Sequence, residues 1–188
     1  FFTHLQPGDI LPAVVQNPAS FGTFWDIGCG LTALMSIERC SVSRITHCNQ
    51  RFSPGQKIYV SILSLDREAQ RINLTHRELL GTWAENAAGF RAGQAVTGIV
   101  RSIKPYGVFI ELTPNLSGLA EPDDSLTPGQ LVSVYIRSIL PDKQKMKLTV
   151  LEKLDSRHVP PQLLGYYRTV GRLDRWEYAP GSAAVTVF

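Results

Sequence analysis

The sequence predicts a mostly β protein with two five-stranded barrels, a helix between them and a β-hairpin at the C-terminal end. The first observation behind this prediction is an internal repeat. Residues 21–24 (FGTF) match residues 106–109 (YGVF) at an offset of 85, and residues 54–56 (PGQ) match residues 128–130 at an offset of 74. The chain therefore holds two copies of one unit, and the second copy is shorter by 11 residues.

The second observation is the alternation of apolar and polar residues along the longest segment of each copy. Ile58, Val60 and Ile62 alternate with polar neighbours, and Val132 and Val134 repeat the pattern. This alternation is typical of a strand with one buried face. Five short strands closed into a barrel leave no unpaired edge. Strands are therefore predicted at about residues 9–15, 21–27, 31–35, 57–65 and 70–75, and again at about 94–102, 106–112, 116–120, 130–139 and 145–150.

The third observation is a helix signature between the copies. Thr75 and Glu78 have the spacing of a capping box, in which the threonine hydroxyl accepts a hydrogen bond from the glutamate N–H and the carboxylate reaches back. Apolar residues follow at helical spacing, and a glycine then supplies a stop. We therefore predict a helix near residues 76–88, with Trp83 buried.

The segment after Leu154 departs from the repeat. Pro160 and Pro161 form a stiff break, and residues 166–188 predict a β-hairpin that turns near residues 179–182. A hairpin of this size does not fold alone, so it is expected to dock on the second copy or to be the remnant of another unit. The predicted division is a first barrel at 1–77, a connecting helix at 78–91, a shortened second barrel at 92–154 and a tail at 155–188.

Composition narrows the setting of the protein. The 188 residues include 19 Lys and Arg against 16 Asp and Glu, so a net charge of +3 permits a polyanion partner without requiring one. No apolar stretch approaches the roughly 18 residues of a membrane-spanning helix, and no secretory leader pattern is present. The three cysteines have no C-x-x-C spacing, so reduced thiols in a cytoplasmic protein that does not contact membranes are expected.

The search for catalytic motifs finds none. The sequence has no phosphate-binding G-x-x-x-x-G-K-[ST] loop, no H-E-x-x-H and no G-x-S-x-G. A metal site on the three cysteines would need a fourth ligand, for which His47 is the only nearby candidate, and no metal is expected there. His47, His76 and His158 are expected to be ordinary surface residues. The protein is therefore predicted not to be an enzyme, with no catalytic residues, metal, cofactor or small-molecule substrate.

The residues that carry the repeat also carry a resemblance to a known family. Residues 98–112 follow the pattern G-x-V-x-x-I-x-x-Y-G-x-F-x-x-L, and residues 21–28, the PGQ turn and residues 71–75 fit the same family. The chain resembles the S1 RNA-binding domain over about residues 7–77 and 92–153, and the tandem is similar to the S1-like ribosomal proteins of bacteria. This resemblance implies OB-type barrels that bind single-stranded RNA in translation or RNA metabolism, with the ribosome as a further partner.

The resemblance also implies which residues bind RNA. Aromatic rings on a barrel face stack on bases at roughly 1–3 kcal/mol each, and neighbouring Lys and Arg neutralise phosphates. The family's stacking, basic and acidic positions correspond to Phe21, Phe24, Asp66 and Arg71 in the first copy and to Tyr106, Phe109 and Lys145 in the second.

Departures from the family pattern predict which of the two copies contributes more to RNA binding. Ser36 and Glu121 stand where the family often has a histidine, and Glu121 lies near further acidic residues, among them Glu111. Like charge repels phosphate. The loop at about residues 36–53 of the first copy carries Arg39, Arg44 and Arg51, which could close over a bound strand. The first copy is therefore expected to contribute more to RNA binding.

A second function remains open at this point. The near-neutral charge and the missing histidines favour a protein-interaction or ribosome-docking module with weak or no RNA binding. The surface around Phe21, Phe24 and Arg71 distinguishes the RNA-binding hypothesis from the protein-interaction hypothesis. Exposed rings beside basic residues favour RNA binding, whereas rings covered by the helix or the tail favour a protein partner.

Overall fold

The repeated halves of the chain fold as two closed β-barrels of five strands each. The computed structural model describes residues 4–28, 30, 32–155 and 164–188. The strands of the first barrel are β1 (Ile10–Pro18), β2 (Gly22–Asp26), β3 (Thr32–Ser36), β4 (Lys57–Asp66) and β5 (Arg71–Thr75). Those of the second are β6 (Ala95–Lys104), β7 (Gly107–Thr113), β8 (Leu116–Ala120), β9 (Leu131–Leu140) and β10 (Lys145–Lys153). The ten predicted strands are confirmed.

The two barrels share one topology. In the first barrel the order is β1-β2-β3-β5-β4, and β4 pairs back with β1; in the second it is β6-β7-β8-β10-β9, and β9 pairs back with β6. Neighbouring strands are antiparallel except for β3 with β5 and β8 with β10, which are parallel. This is the OB-type barrel that the resemblance implies.

Alternating strand residues fill each barrel. Trp25, Met35, Ile62 and Leu74 are fully buried in the first barrel, and Ile110, Leu116, Ile136 and Met146 are fully buried in the second. Burying one such side chain contributes roughly 1.5–3 kcal/mol to folding. The interiors are filled by side chains, so the outer faces of the strands remain for contacts with other molecules.

A glycine between the two aromatic positions of each barrel allows close strand approach. A Cβ atom at Gly22 would overlap the carbonyl oxygen of Met35 on β3, and one at Gly107 would lie 2.6 Å from the carbonyl oxygen of Ala120 on β8. Only glycine lets the strand come this near to its neighbour. The repeated F/Y-G-x-F pattern is therefore required by backbone packing as well as by its aromatic rings.

The connecting helix begins later than predicted. Residues Arg77–Leu80 form a single 3-10 turn without a side-chain cap, and helix α1 covers only Trp83–Ala87. The capping box belongs to Thr82 and Glu85: the Thr82 hydroxyl accepts from the Glu85 N–H at 3.1 Å, and the Glu85 carboxylate accepts from the Thr82 N–H at 2.9 Å. Trp83 is buried, as predicted.

The reason for the shift lies in the partners of Thr75 and Glu78. The Thr75 hydroxyl donates to the Glu78 carboxylate at 2.6 Å, so it does not cap a helix. Gly81 then adopts φ +93°, which interrupts the helical path before Trp83. The sequence contains two capping-box patterns seven residues apart, and only the second one starts a helix.

The C-terminal tail forms the predicted hairpin, with β11 (Arg175–Glu177) paired to β12 (Val185–Val187). Its expected docking on the second copy is wrong. One compact unit combines the chain up to Gly81 with residues 165–188, and the other unit covers residues 82–164. The predicted break at Pro160 and Pro161 lies outside the described residues.

Polar contacts explain why the tail packs on the first barrel. Asp9 pairs with Arg172 both as a backbone bridge and as an ion pair at 2.6 Å. The Thr186 hydroxyl donates to the fully buried Glu78 carboxylate at 2.8 Å. A buried carboxylate needs such donors, because burial without them is costly. The tail thus supplies hydrogen bonds that the first barrel requires.

His76 is buried in the same contact, so its expected surface position is wrong. Its Nδ1 lies 2.7 Å from the carbonyl oxygen of Cys40 and its Nε2 lies 2.9 Å from the Tyr166 hydroxyl. Because a carbonyl only accepts, Nδ1 carries the proton and Nε2 accepts from Tyr166. Burial lowers the pKa of His76 to about 4, since the neutral ring is favoured away from water.

The first prediction concerns the close approach at Gly107. Gly107→Ala places a methyl group against the Ala120 carbonyl oxygen and should lower the free energy of unfolding by about 1–3 kcal/mol. Gly89→Ala is the matched control in the same unit, because its Cβ meets only an ordinary contact at 3.5 Å. Urea unfolding followed by circular dichroism measures both. Equal midpoints for the two variants would contradict the packing role of Gly107.

The second prediction concerns pH. The pKa of His76 is lower in the folded chain than the value of about 6.5 in the unfolded chain. The stability that depends on the neutral ring is therefore present above about pH 6.5 and is lost as the pH falls toward 4. Between pH 7 and pH 5 we expect a loss of about 2 kcal/mol from this residue.

Urea unfolding at the two pH values tests this expectation. His76→Gln should remove most of the pH dependence, whereas His4→Gln, a change at an exposed residue, should keep it. A His76→Gln protein with the wild-type pH dependence would show that another group is responsible.

Candidate nucleic-acid interface

The two predicted aromatics of the first barrel lie side by side on its outer surface. Phe21 stands in the turn before β2 and is 58% exposed, and Phe24 on β2 is half-buried. Their ring centroids are 5.9 Å apart in an edge-to-face arrangement. An exposed ring braced by a second ring offers a flat face at little entropic cost, because the pair is already ordered.

Strand pairing extends this face across the barrel. Phe24 lies opposite Leu34 on β3, and Leu34 lies opposite Asn73 on β5. Arg71, at the start of β5, is exposed and lies opposite Asp66 on β4 in the strand register. The structure thus brings the predicted aromatic and basic residues to one side of the barrel, with β3 between the strand of Phe24 and the strand of Arg71.

Asp66 has a local partner. Its Oδ1 accepts a hydrogen bond from the Ala69 N–H at 3.0 Å, within the turn that joins β4 to β5. Gln70 in this turn has φ +54°, a conformation that needs local support in a residue other than glycine. The Asp66 carboxylate therefore orders the turn that presents Arg71.

The second barrel repeats the arrangement with different side chains. Tyr106 is 63% exposed, Phe109 is half-buried, and their centroids are 6.1 Å apart, again edge to face. Phe109 lies opposite Leu119 on β8, and Leu119 lies opposite Lys147 on β10. Lys147 thus takes the place of Asn73.

An open groove of about 960 Å³ runs along this face of the second barrel. Its lining includes the aromatic pair and three cations, namely Tyr106, Phe109, Arg137, Lys145 and Lys147. Among the described residues that line the groove, Glu121 is the only carboxylate. The groove therefore combines flat apolar rings with a surplus of positive charge.

Two of the carboxylates expected to oppose phosphate, Glu111 and Glu121, lie beside arginines, and Asp123 does not line the groove. Glu111 is buried and pairs with Arg101, with two oxygen–nitrogen distances of 3.2 Å. Asp123 accepts from the hydroxyl and the N–H of Ser125, which lowers the pKa of Asp123. Glu121 lies 3.9 Å from Arg137, and both are more than half exposed. Such a surface pair contributes little, so Arg137 can exchange partners at low cost.

The arginine loop of the first copy is not free as expected. Arg51 is buried and donates to the Ser41 hydroxyl at 2.9 Å. Arg39 donates to the Thr186 hydroxyl at 3.1 Å and lies 3.6 Å from Glu78. Only Arg44 of the three is exposed. Two of the three arginines therefore hold the first unit together, and the ranking of the copies loses its main support.

Sequence reasoning missed Arg137. It occupies a β-bulge on β9, opposite the step from Lys147 to Leu148, and the bulge turns it onto the groove face. The same bulge in the first barrel carries Leu63. Aligning the two copies at the offset of 74 would have revealed this leucine-to-arginine difference.

Comparison with known proteins agrees with this geometry. Residues 4–77 match the family model of the S1 RNA binding domain. The first barrel is similar to an S1 domain over its whole length. The second barrel, which lies outside that match, repeats the topology of the first strand for strand, so the chain carries two barrels of one topology in tandem.

Relatives extend the similarity beyond the first barrel. The chain is 29% identical over 167 residues to the small ribosomal subunit protein bS1 homolog of Bacillus cereus, which covers 82% of this chain and 44% of that protein. It is 30% identical to the small ribosomal subunit protein bS1 of Staphylococcus aureus, over 82% of this chain and 42% of the relative. The chain thus spans less than half the length of these relatives.

Among solved structures, a chain in the a/eIF2alpha–aDim2p–rRNA complex from Pyrococcus horikoshii is similar at 20% identity. Its TM-score is 0.39, and the match covers 46% of this chain and 51% of that chain.

Within the described ranges, none of the helices is long and apolar enough to span a membrane.

Proposed function

We propose that the chain binds single-stranded RNA on the aromatic faces of its two barrels, without a catalytic step, and that the second barrel is the stronger contact. The observation that carries this proposal is the groove of the second barrel, where the Tyr106 and Phe109 pair lies beside Arg137, Lys145 and Lys147. Exposed rings stack on unpaired bases, and the cations contact the phosphates between them.

The second barrel is favoured by a residue-by-residue comparison. Arg137, Lys145 and Lys147 stand where the first barrel has Leu63, Arg71 and Asn73. The second face therefore offers three cations against one. This reverses the ranking expected from sequence, because two of the three additional arginines of the first copy, Arg39 and Arg51, are bound within their own unit.

Seven residues were expected to contact RNA, and we propose distinct roles for them. Phe21, Phe24, Tyr106 and Phe109 form the stacking platforms, with Phe24 and Phe109 bracing the more exposed rings. Arg71 and Lys145 contact phosphates. Asp66 acts through the turn that positions Arg71 and does not itself face RNA.

The biological setting of the proposal is translation, with the ribosome as a further partner. It is supported by the relatives named above, which are small ribosomal subunit proteins. A non-catalytic role in the cytoplasm, without a cofactor or a membrane, belongs to the same proposal. It is supported by the similarity of residues 4–77 to the S1 RNA binding domain.

The third prediction is the salt dependence of binding. A labelled single-stranded RNA of about 12 nucleotides should bind with micromolar or weaker affinity. With about three phosphate contacts, the logarithm of the association constant should fall with the logarithm of salt concentration with a slope near −2. Fluorescence anisotropy between about 50 and 200 mM salt measures this slope. Salt-independent binding, or a preference for duplex RNA, would argue against the proposal.

The fourth prediction compares equivalent rings. Tyr106→Ala should weaken RNA binding by about 1–3 kcal/mol, because it removes a stacking face. Phe21→Ala is the matched variant in the first barrel, since Phe21 is exposed to a similar degree, and it should weaken binding less. Both rings are exposed, so both variants should keep the wild-type unfolding midpoint, which circular dichroism checks.

Three results of this comparison would change the proposal. A larger loss in Phe21→Ala would restore the first barrel as the main contact. Equal losses would show that the exposed rings of the two barrels contribute equally to RNA binding. No RNA binding by the folded chain at low salt would favour the protein-interaction or ribosome-docking module.

A further inference from the structure

Two buried thiols face each other in the loop between β3 and β4. Cys40 and Cys48 are free cysteines with 0% exposure, and their Sγ atoms are 3.9 Å apart. A disulfide bond is about 2 Å long, so each sulfur would need to move by only about 1 Å to form one. The second copy lacks this part of the loop.

The backbone at each end of the pair is anchored, while the chain between them is irregular. The Cys40 N–H donates to the Ile37 carbonyl at 3.2 Å, and the Cys48 N–H donates to the Ala19 carbonyl at 3.0 Å. Residues 41–47 form neither helix nor strand. Irregular segments adjust more easily than paired strands, so the loop can absorb the small movement that closure requires.

We propose that Cys40 and Cys48 are a redox-active pair that closes into an intramolecular disulfide when the chain meets a two-electron oxidant of the peroxide class. The Cys48 thiol loses its proton, and its sulfur attacks hydrogen peroxide to give a sulfenic acid and water. The Cys40 sulfur then attacks the Cys48 sulfur, and a second water leaves. Two thiols lose two electrons and two protons, and one peroxide becomes two waters.

The order of the two steps follows from the contact between the thiols. The hydrogen bond to Cys48, together with burial, raises the pKa of Cys40, and the same hydrogen bond lowers the pKa of Cys48. The thiolate is the reactive form, so Cys48 is the sulfur that reacts first. Because Cys40 is already in contact, ring closure should precede further oxidation of the sulfenic acid.

Burial affects the rate of this reaction and its selectivity differently. Peroxide reaches the pair only when the loop opens, so oxidation should be slow. The fold holds Cys40 as the neighbour of Cys48, so the product should be selective. Closure of the Cys40–Cys48 disulfide does not depend on RNA binding, and the experiment that tests it uses no RNA.

The positions of the arginines make the test direct. Arg44 lies between the two cysteines, so trypsin releases Cys40 in residues 40–44 and Cys48 in residues 45–51. The third cysteine, Cys29, stays in residues 1–39. Each of the three pairings therefore gives a joined peptide pair of different mass.

The reduced full chain is exposed to hydrogen peroxide, and the remaining thiols are blocked with N-ethylmaleimide in urea before trypsin digestion and mass spectrometry. We expect residues 40–44 joined to 45–51, about ten times more abundant than either peptide joined to residues 1–39. Dithiothreitol should abolish the joined pair. Cys29→Ser should keep it, and Cys40→Ser should lose it.

Three outcomes would overturn the proposal. Cys40 and Cys48 could both remain blocked by N-ethylmaleimide after peroxide treatment. Cys48 could oxidise to the sulfinic acid without forming a joined peptide. Finally, the folded chain could give the same mixture of pairings as a chain oxidised in urea, which would show that the fold does not direct the reaction.

Discussion

Each barrel depends on the parallel pairing between its third and fifth strands. Leu34 lies opposite Asn73 in the first barrel, and Leu119 lies opposite Lys147 in the second. The chain must complete the long fourth strand and return before this contact forms, so it closes the sheet across many residues. Closure also places the fifth strand of each barrel next to the third strand, whose other neighbour is the strand that carries Phe24 or Phe109. The aromatic and basic residues that we propose as the RNA contact meet only because the sheet closes in this way.

The two units solve the problem of buried polar groups differently. In the first unit, Glu78 lies without solvent exposure and receives hydrogen bonds from Thr75 and Thr186, with Arg39 nearby. The C-terminal hairpin is thus part of the first unit's interior. In the second unit, Asn86 on α1 accepts from the Thr113 hydroxyl at 2.7 Å, so the short helix supplies the polar partner there. Both additions to the barrels satisfy polar groups that the five strands leave unpaired.

The sequence predicted the strands well because each strand carries its own pattern. The alternation at Ile58, Val60 and Ile62 marks which face is buried, and the repeat shows where each strand recurs. Capping patterns are weaker evidence, since the T-x-x-E spacing occurs at both Thr75 and Thr82 and only the tertiary partner of Glu78 decides between them. Burial of His76 was equally hidden, because it depends on Tyr166, a residue 90 positions away.

In the candidate site, too, the positions of some residues could be predicted from sequence, whereas the availability of the charged residues could not. The resemblance placed both aromatic pairs on the outer surface, where the structure has them. It said nothing of which charges remain available, because availability depends on contacts made after folding. Arg39 and Arg51 are cations that the sequence offers for phosphate contacts, but in the folded chain they donate hydrogen bonds to Thr186 and Ser41.

The two barrels share the backbone features that the fold requires and differ in the outward side chains that we propose to contact RNA. The backbone is shared: Gly22 and Gly107 permit the same close approach, and Gln70 and Gln144 adopt the same left-handed turn with φ near +54°. Most of the buried strand positions are apolar in both barrels. The outward positions differ, and the groove side of the second barrel has gained positive charge at two places where the first barrel has Leu63 and Asn73. Outer positions are free to vary because they contribute little to the core. A repeated barrel can therefore keep one fold while its copies take unequal shares of the contact with RNA.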